Sequence, residues 1–330
     1  MRPRLNVRYG LCLTAMLLAI GASVFPDGSD AQGDPDNLRV MSYNIKHGQG
    51  NDDCADPTAV EGEVPEVQCA VDLERTAEVI RAQDPDIVAI QEVDRFWARS
   101  GSVDQPDELG TMLNMETCYA ANLDHGPDDH GADDHQYGTL ILSRFPILSC
   151  ENTFLPTPDG WEQRGLLEAR IDADGFGEIA VLNTHLQAGR EGAEEEAIRQ
   201  RTEQAEAVAE QVSGIDDVPV ILMGDFNAQP DDPELASLFD TESGLQDAWE
   251  VGGDGTDGFT VPVEETADPE SRIDYIFVSS DVTVNSAEVV INEGTRITSD
   301  HYPLIADLSP TGAGTPEATP EAPIFATPVT

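Results

Sequence analysis

Lysine is almost missing from this chain. Lys46 is the single lysine in 330 residues, and 17 basic residues face 64 acidic ones, for a formal net charge of −47. Proteins that bind nucleic acid gather Lys and Arg to neutralise phosphates, so this balance argues against a stable nucleic-acid partner at moderate salt. It suits a surface in concentrated salt, where like-charge repulsion is screened. No C-x-x-C pair occurs among the five cysteines, which argues against a thiolate zinc centre. Nor does any apolar run reach the ~20 residues that span a bilayer.

The longest apolar run, residues 11–25, follows an Arg-containing start and leads through small residues to Ala31. That is the layout of a secretory signal, so residues 1–31 are expected to be removed on export, leaving no transmembrane span. The mature protein is then secreted or associated with the cell envelope. Cys12 lies in the signal. In an exported protein the other four cysteines suggest two disulfides, and the favoured pairing is Cys54–Cys69 with Cys118–Cys150. Residues 310–330, rich in Thr, Pro, Ala and Glu, have little to bury and read as a disordered tail.

Between them, residues 38–309 read as one domain and the protein as a monomer. LRVMSYNI, DIVAIQEV, TCYAANL, YGTLILS, RGLLEARI, EIAVLNTHL, VPVILMGDF, RIDYIFVS and HYPLIADL have the alternation or short apolar run of strands. LERTAEVIRAQ predicts a helix with Leu73, Ala77 and Ile80 on its buried face. EGAEEEAIRQRTEQAEAVAEQV predicts a longer one, with Ala197, Ile198, Ala205, Val208 and Val212 as its apolar members. Many strands with few helices favour an α+β sandwich, two sheets face to face with helices outside.

Several of these strands end in residues that a buried strand does not need. They are Asn44, Glu92, Asn183 with His185, Asp225 with Asn227, Asp274, and Asp300 with His301. Asp225 and Asn227 stand two apart, so an extended backbone past Gly224 would point both the same way. Each such residue alone reads as a solvated strand end; collected at one edge of a sandwich they make a pocket. Glu92, Asp300 and Asn44 offer hard oxygen ligands suited to Mg²⁺, Mn²⁺ or Ca²⁺. A carboxylate such as Asp225 can deprotonate a water, and two histidines can donate protons or stabilise a phosphoryl group. Together these residues suit metal-assisted attack of water on a phosphate ester.

SYNIKHG, IVAIQEVDR, YGTLILSRFP, LNTHLQAG, GDFNAQP, RIDYIFVS and SDHYPL, in that order, resemble the motifs of the endonuclease/exonuclease/phosphatase superfamily. The resemblance runs from about Leu38 to Leu308. It implies a four-layer α/β/β/α sandwich and a divalent-metal phosphoesterase site. It further implies Glu92 as principal metal ligand with Asn44 and Asp300 beside it. Asp225 would prepare the water and Asn227 hold a phosphate oxygen. His301 would contact phosphate with Asp274 fixing its tautomer, His185 would be a second catalytic histidine, and Arg164 a phosphate contact. The motifs look most like those of compact bacterial metal-dependent hydrolases.

The substrate expected is a phosphoester, whether small molecule, lipid headgroup or nucleic acid, with a phosphodiester favoured. An extracellular deoxyribonuclease is the nearest alternative. It is weakened because the loop after His185 mixes Arg190, Arg199 and Arg201 with glutamates. A non-catalytic binding module on the same fold and a zinc phosphatase of another fold are weaker readings. The Asp- and His-rich stretch 124–135 reads as an acidic surface insertion, with an accessory metal site as the alternative.

Overall fold

A computed structural model describes residues 37–51, 70–125, 135–240, 243–263 and 269–311. The signal segment, the Cys54–Cys69 pairing, most of the 124–135 stretch and nearly all of the tail lie outside these residues. The described chain runs β1 (Leu38–Asn44), α1 (Leu73–Gln83), β2 (Ile87–Arg95), α2 (Gln105–Leu113), β3 (Glu116–His125), β4 (His135–Ser143), β5 (Ile147–Phe154), β6 (Gly165–Ala173) and β7 (Gly177–His185). It continues α3 (Glu194–Ser213), β8 (Val220–Asp225), α4 (Ala236–Phe239), β9 (Leu245–Asp247), α5 (Ala248–Gly252), β10 (Asp274–Ser279), β11 (Val282–Val289), α6 (Glu293–Thr298) and β12 (Leu304–Pro310).

The strands form two six-stranded sheets, ordered β11-β12-β1-β2-β4-β3 and β5-β6-β7-β8-β10-β9. Each has one parallel pair near its centre, β1 with β2 and β7 with β8, and is otherwise antiparallel. Strand alternation sorts the apolar residues into layers. Val40, Ile87, Val181, Ile221 and Met223 face the space between the sheets. Met41, Tyr43, Val88 and Ile90 face outward beneath Leu73, Ala77, Ile80 and Leu109 of α1 and α2. Leu182 and Leu222 face outward beneath Ala205, Val208 and Val212 of α3. This is the four-layer sandwich.

The two helices expected from the sequence, α1 and α3, form where the pattern asks. Asp72 caps α1 by accepting from Arg75 N–H at 3.0 Å, and Asp84, in a left-handed conformation, ends it before Pro85. In α3, Ile198 is 42 % exposed, and Gln200, Arg201 and Gln204 are buried in its stead. Those polar groups are used: Arg201 pairs with the buried Glu234 at 2.8 Å, and Gln204 accepts from Gln187 N–H. β5, β9 and β11 appear where no strand is evident in the sequence. All three lie at sheet edges, and β5 and β11 are largely exposed, so an apolar pattern had little to mark them.

Cys118 and Cys150 form the expected disulfide, with Cα atoms 5.6 Å apart. It ties β3 to β5, the terminal strands of opposite sheets, and so closes one side of the sandwich.

Candidate active site

The polar strand ends converge at one rim of the sandwich, and the backbone there departs from plain strand geometry. In β2 the register against β4 slips between Ile90 and Val93, and Glu92 takes φ +59° inside this bulge. The bulge disturbs the ladder at Ile90 and Leu140. Asn183 answers by donating to both carbonyls, each at 2.9 Å, while Gln91 Nε2 donates to its Oδ1 at 2.8 Å. Asn183 therefore bonds between the sheets and supports Glu92 from below. Opposite, Gly138 allows β3 and β4 to close up; a Cβ there would meet Ala120 O at 1.8 Å.

Asp225 is the hub. It ends β8, paired in register with His185 on β7 and with Asp274 on β10. Gly224 before it is required because a Cβ would lie 2.2 Å from Thr184 O of the neighbouring strand. Asp225 is 1 % exposed. Its Oδ1 accepts Asn227 N–H at 2.9 Å and its Oδ2 accepts Asn44 Nδ2 at 3.0 Å. His185 Nε2 and His301 Nε2 approach the same Oδ2 at 3.5 and 3.7 Å.

Three sequence-based expectations of local geometry are corrected here. Asn227 does not continue the strand: it has φ +51°, and its Nδ2 donates to Leu186 O at 3.1 Å. A left-handed turn, not strand alternation, brings it beside Asp225. Asp300 and His301 are not in a strand either; they lie in the turn between α6 and β12, where Ser299 Oγ donates to Asn44 O and accepts from His301 N–H. Glu92 is not a strand terminus, since β2 runs on to Arg95 beyond the bulge.

His301 spans two carboxylates. Its Nδ1 meets Asp274 Oδ2 at 2.9 Å and its Nε2 faces Asp225. Burial alone would depress this imidazole, yet Asp274 and Asp225 outweigh burial and push it up to about 10. Its Nδ1–H therefore donates to Asp274. Asp225 moves the opposite way: burial, reinforced by Asp274, holds its carboxyl well above the ordinary carboxylate range. Burial, then the charges of Arg164 and His301, hold His185 well below the usual imidazole value, so it is neutral. Two histidines on one carboxylate thus carry different charge.

Asn44 turns its Nδ2 to Glu92 Oε1 at 3.1 Å as well as to Asp225, and its Oδ1 to Lys46 N–H at 3.0 Å. Burial and the nearby charge of Asp300 raise Glu92. Lys46 Nζ lies 3.0 Å from Asp300 Oδ2. Arg164 is 5 % exposed and pairs with Glu162 at 2.9 Å. Two repelling carboxylates, both partly exposed and with a single ammonium beside Asp300, are a donor set that fits a hard divalent cation. Asp225, Asp274 and His301 also lie with one ligand atom each within 4.8 Å of one another, close enough to hold a metal ion. In that set a protonated His301 already bridges the two carboxylates, so Glu92 and Asp300 are the better match.

Residues that the sequence reading passed over also stand here. Lys46 and His47 both have φ +46° in the turn after β1, and Gln105 Nε2 donates to His47 O at 2.8 Å. Arg99 pairs with the buried Asp94 near Glu92. The sole lysine of an acidic chain was a usable signal for the first pair; the second had none beyond QEVDR itself.

A family model of the endonuclease/exonuclease/phosphatase family matches residues 41–301. The chain belongs to this family. Its members hydrolyse phosphoesters with a divalent metal ion, and this protein is a phosphoester hydrolase of that class. Among solved structures, an endonuclease/exonuclease/phosphatase from Beutenbergia cavernae is 27% identical, with a TM-score of 0.65 over 84% of this chain and 72% of the other. The mannosyl-6-phosphatase of Bacteroides thetaiotaomicron is 23% identical, with a TM-score of 0.56 over 82% and 99%. The catalytic domain of human nocturnin, solved with a bound sulfate anion, is 22% identical, with a TM-score of 0.58 over 84% and 95%. The last two share the fold. No curated protein matches the chain.

Proposed function

We propose that the protein is an exported, Mg²⁺-dependent phosphodiesterase acting on a small phosphoester. The observation that carries this reading is the arrangement around Asp225: one buried carboxylate facing a neutral and a charged histidine at 3.5 and 3.7 Å. Glu92 and Asp300, with Asn44 beside them, would hold the metal, and Mn²⁺ or Ca²⁺ suits the same oxygen donors. When bound, the ion supplies Lewis-acid polarisation of a phosphoryl oxygen.

The chain's own residues do the rest. Asp225 takes a proton from the attacking water; its raised proton affinity makes it a better base than an ordinary carboxylate. Asn227 N–H fixes the carboxylate's other oxygen, and its amide side chain would hold a phosphate oxygen. His301 presents Nε2–H toward the phosphate or leaving oxygen, with Asp274 holding its orientation through Nδ1. His185, neutral, adds a hydrogen bond without a charge. Arg164 stands by as a phosphate contact.

The charge balance favours a diester. Apart from the metal ion, Arg164 answers Glu162 and His301 answers Asp274, so few of the site's own cations are left over for the dianion of a monoester. The extracellular deoxyribonuclease reading loses support for a related reason. Arg201 is buried against Glu234, Arg199 pairs with Glu196, and only Arg190, over Trp161, remains of the arginines after His185. No basic surface for a duplex assembles from them.

The test uses protein stripped with EDTA and then given Mg²⁺, Mn²⁺, Ca²⁺ or Zn²⁺ separately. Wild type and His301→Ala would meet bis(p-nitrophenyl) phosphate and plasmid DNA at low and high salt. Mg²⁺- or Mn²⁺-dependent turnover of the small diester, intact plasmid and a silent variant are expected. Plasmid cleavage at high salt would replace the reading with the nuclease, and revival by Zn²⁺ alone would overturn the metal assignment.

A further inference from the structure

We propose that Asp94, Trp97, Arg99 and Tyr137 form the subsite for the alcohol side of the substrate, and that it takes a hydroxyl-rich ring, a sugar or a cyclitol. This rests on the phosphoester-hydrolase reading above and names the group that the site would release.

Trp97 and Arg99 lie in the loop between β2 and α2, which is tied down on both sides. Phe96 N–H donates to Val103 O at 2.7 Å, and Arg95 pairs with Asp104 at 2.7 Å. Asp94 N–H donates to Gln105 Oε1 at 2.9 Å, while Gln105 Nε2 reaches His47 O in the turn that carries Lys46. The loop is therefore rigidly joined to the catalytic rim.

Within it, Arg99 gives Nε and Nη2 to the two oxygens of Asp94 at 2.8 and 2.7 Å. The Asp94 side chain is fully buried, whereas that of Arg99 stays 40% exposed. The guanidinium lies 4.8 Å from the Trp97 ring and 5.4 Å from the Tyr137 ring. Tyr137 pairs with Asp94 across the β2–β4 ladder. Asp94 follows Glu92 by two residues at the bulge, so the fork stands beside the metal-binding carboxylate. Glu92's charge is also felt by both Tyr137 and Arg99.

The chemistry of the subsite follows from what is already spent. Arg99 and Asp94 cancel in charge, so the pair does not invite a second phosphate. Trp97 offers no open face for a nucleobase, because Arg99 covers it and His135 packs edge-on with ring centroids 4.1 Å apart. What meets the substrate is the outer edge of the guanidinium: both hydrogens of Nη1 and one of Nη2, held planar. A fixed row of donors with no net charge matches the oxygens of neighbouring hydroxyls on a ring.

Methylumbelliferyl phosphodiesters carrying myo-inositol, ethylene glycol or thymidine as the second alcohol test this, with Mg²⁺ or Mn²⁺ present. Wild type should favour the inositol diester over the glycol diester by about tenfold or more in kcat/KM, mostly through KM. Arg99→Lys keeps a cation for Asp94 but loses the fork, and should erase most of that preference while kcat on the inositol diester changes little. Trp97→Phe should retain the preference and Trp97→Ala lose it, with thermal melts showing that each variant is folded. Equal turnover of the inositol and glycol diesters by wild type would overturn the subsite and leave the hydrolase reading standing. A preference for the thymidine diester would overturn the hydroxyl-ring assignment in favour of a base. Silence toward all three diesters and toward bis(p-nitrophenyl) phosphate would remove the phosphodiesterase reading itself, and this proposal with it.

Discussion

Replacing Asp225 by Asn should make the protein more stable and nearly inactive. The buried carboxylate has one charged partner, His301, whose Nε2 stands 3.7 Å away and whose Nδ1 is already bonded to Asp274. Two neutral donors, Asn44 Nδ2 and Asn227 N–H, are all that hold it directly. Burial and Asp274 raise its proton affinity above that of the unfolded chain. The native state therefore binds more protons than the unfolded state between the unfolded carboxylate value and the raised native one. Through that window stability falls as pH rises, and above it the ionised Asp225 carries its full cost. Each unit of such a shift is worth about 1.4 kcal/mol. The neutral amide removes the cost, offset in part by one donor that the amide nitrogen can no longer accept and by the charge that His301 loses. In EDTA, urea melts of Asp225→Asn should therefore show a higher midpoint than wild type at pH 8, with the gap closing toward pH 5. With metal restored, kcat on a small phosphodiester should fall about 10²–10⁴-fold, the share of a general base. A variant less stable than wild type at pH 8 would show that the carboxylate is a structural anchor. An unchanged kcat would show that another group prepares the water.

Three further outcomes follow from particular contacts. His301 should remain an imidazolium at pH 8 in metal-free protein, read from its ring ¹⁵N shifts. Because its folded value is raised to about 10, its contribution to stability is fully present below the unfolded histidine value and is lost as pH climbs through about 10; a neutral ring at pH 8 would contradict the two-carboxylate clamp. Saturating Mg²⁺ or Mn²⁺ should raise the melting temperature of stripped wild type, since a ligand of the native state alone stabilises it. That rise should vanish in Glu92→Gln; if it vanishes instead in Asp274→Asn and survives in Glu92→Gln, the ion sits in the Asp225–Asp274–His301 cluster. Substituting Cys118 and Cys150 by Ala should cost about 4 kcal/mol by the loop-entropy account for a separation of 32 residues, measured by denaturant unfolding, with kcat retained.

The strands of the sandwich's interior were legible because they obey simple patterns. LRVMSYN, IVAIQEV and VILMGD are apolar on both faces, as strands covered on one side by a helix and on the other by a second sheet must be. The helix LERTAEVIRAQ announced both its buried face and its end at Asp84-Pro85. The edge strands β5 and β11 were not legible, because they have solvent on much of their surface and need no apolar pattern. Ile198 misled for the converse reason: the turn it occupies faces water, and three polar residues with specific partners took the inner positions.

The chemical inventory of the rim was fixed by residue type alone. Acids, amides and histidines at the ends of apolar strands can be read from one dimension, because a buried strand has no packing use for them. What only tertiary structure could decide is which atoms face which. Asn227 reaches Asp225 through a left-handed turn, Glu92 through a bulge, and Asp300 and His301 from a loop. Asn183, two residues from His185, was drawn beneath the site to serve two carbonyls that the bulge left short. The charges of His185 and His301 differ although both face Asp225, because only His301 has Asp274 behind it. Residue types set which chemistry is available; neighbours distant in sequence set the protonation state and orientation in which it is used, since Coulomb energy and hydrogen-bond geometry depend on separation in space and not along the chain.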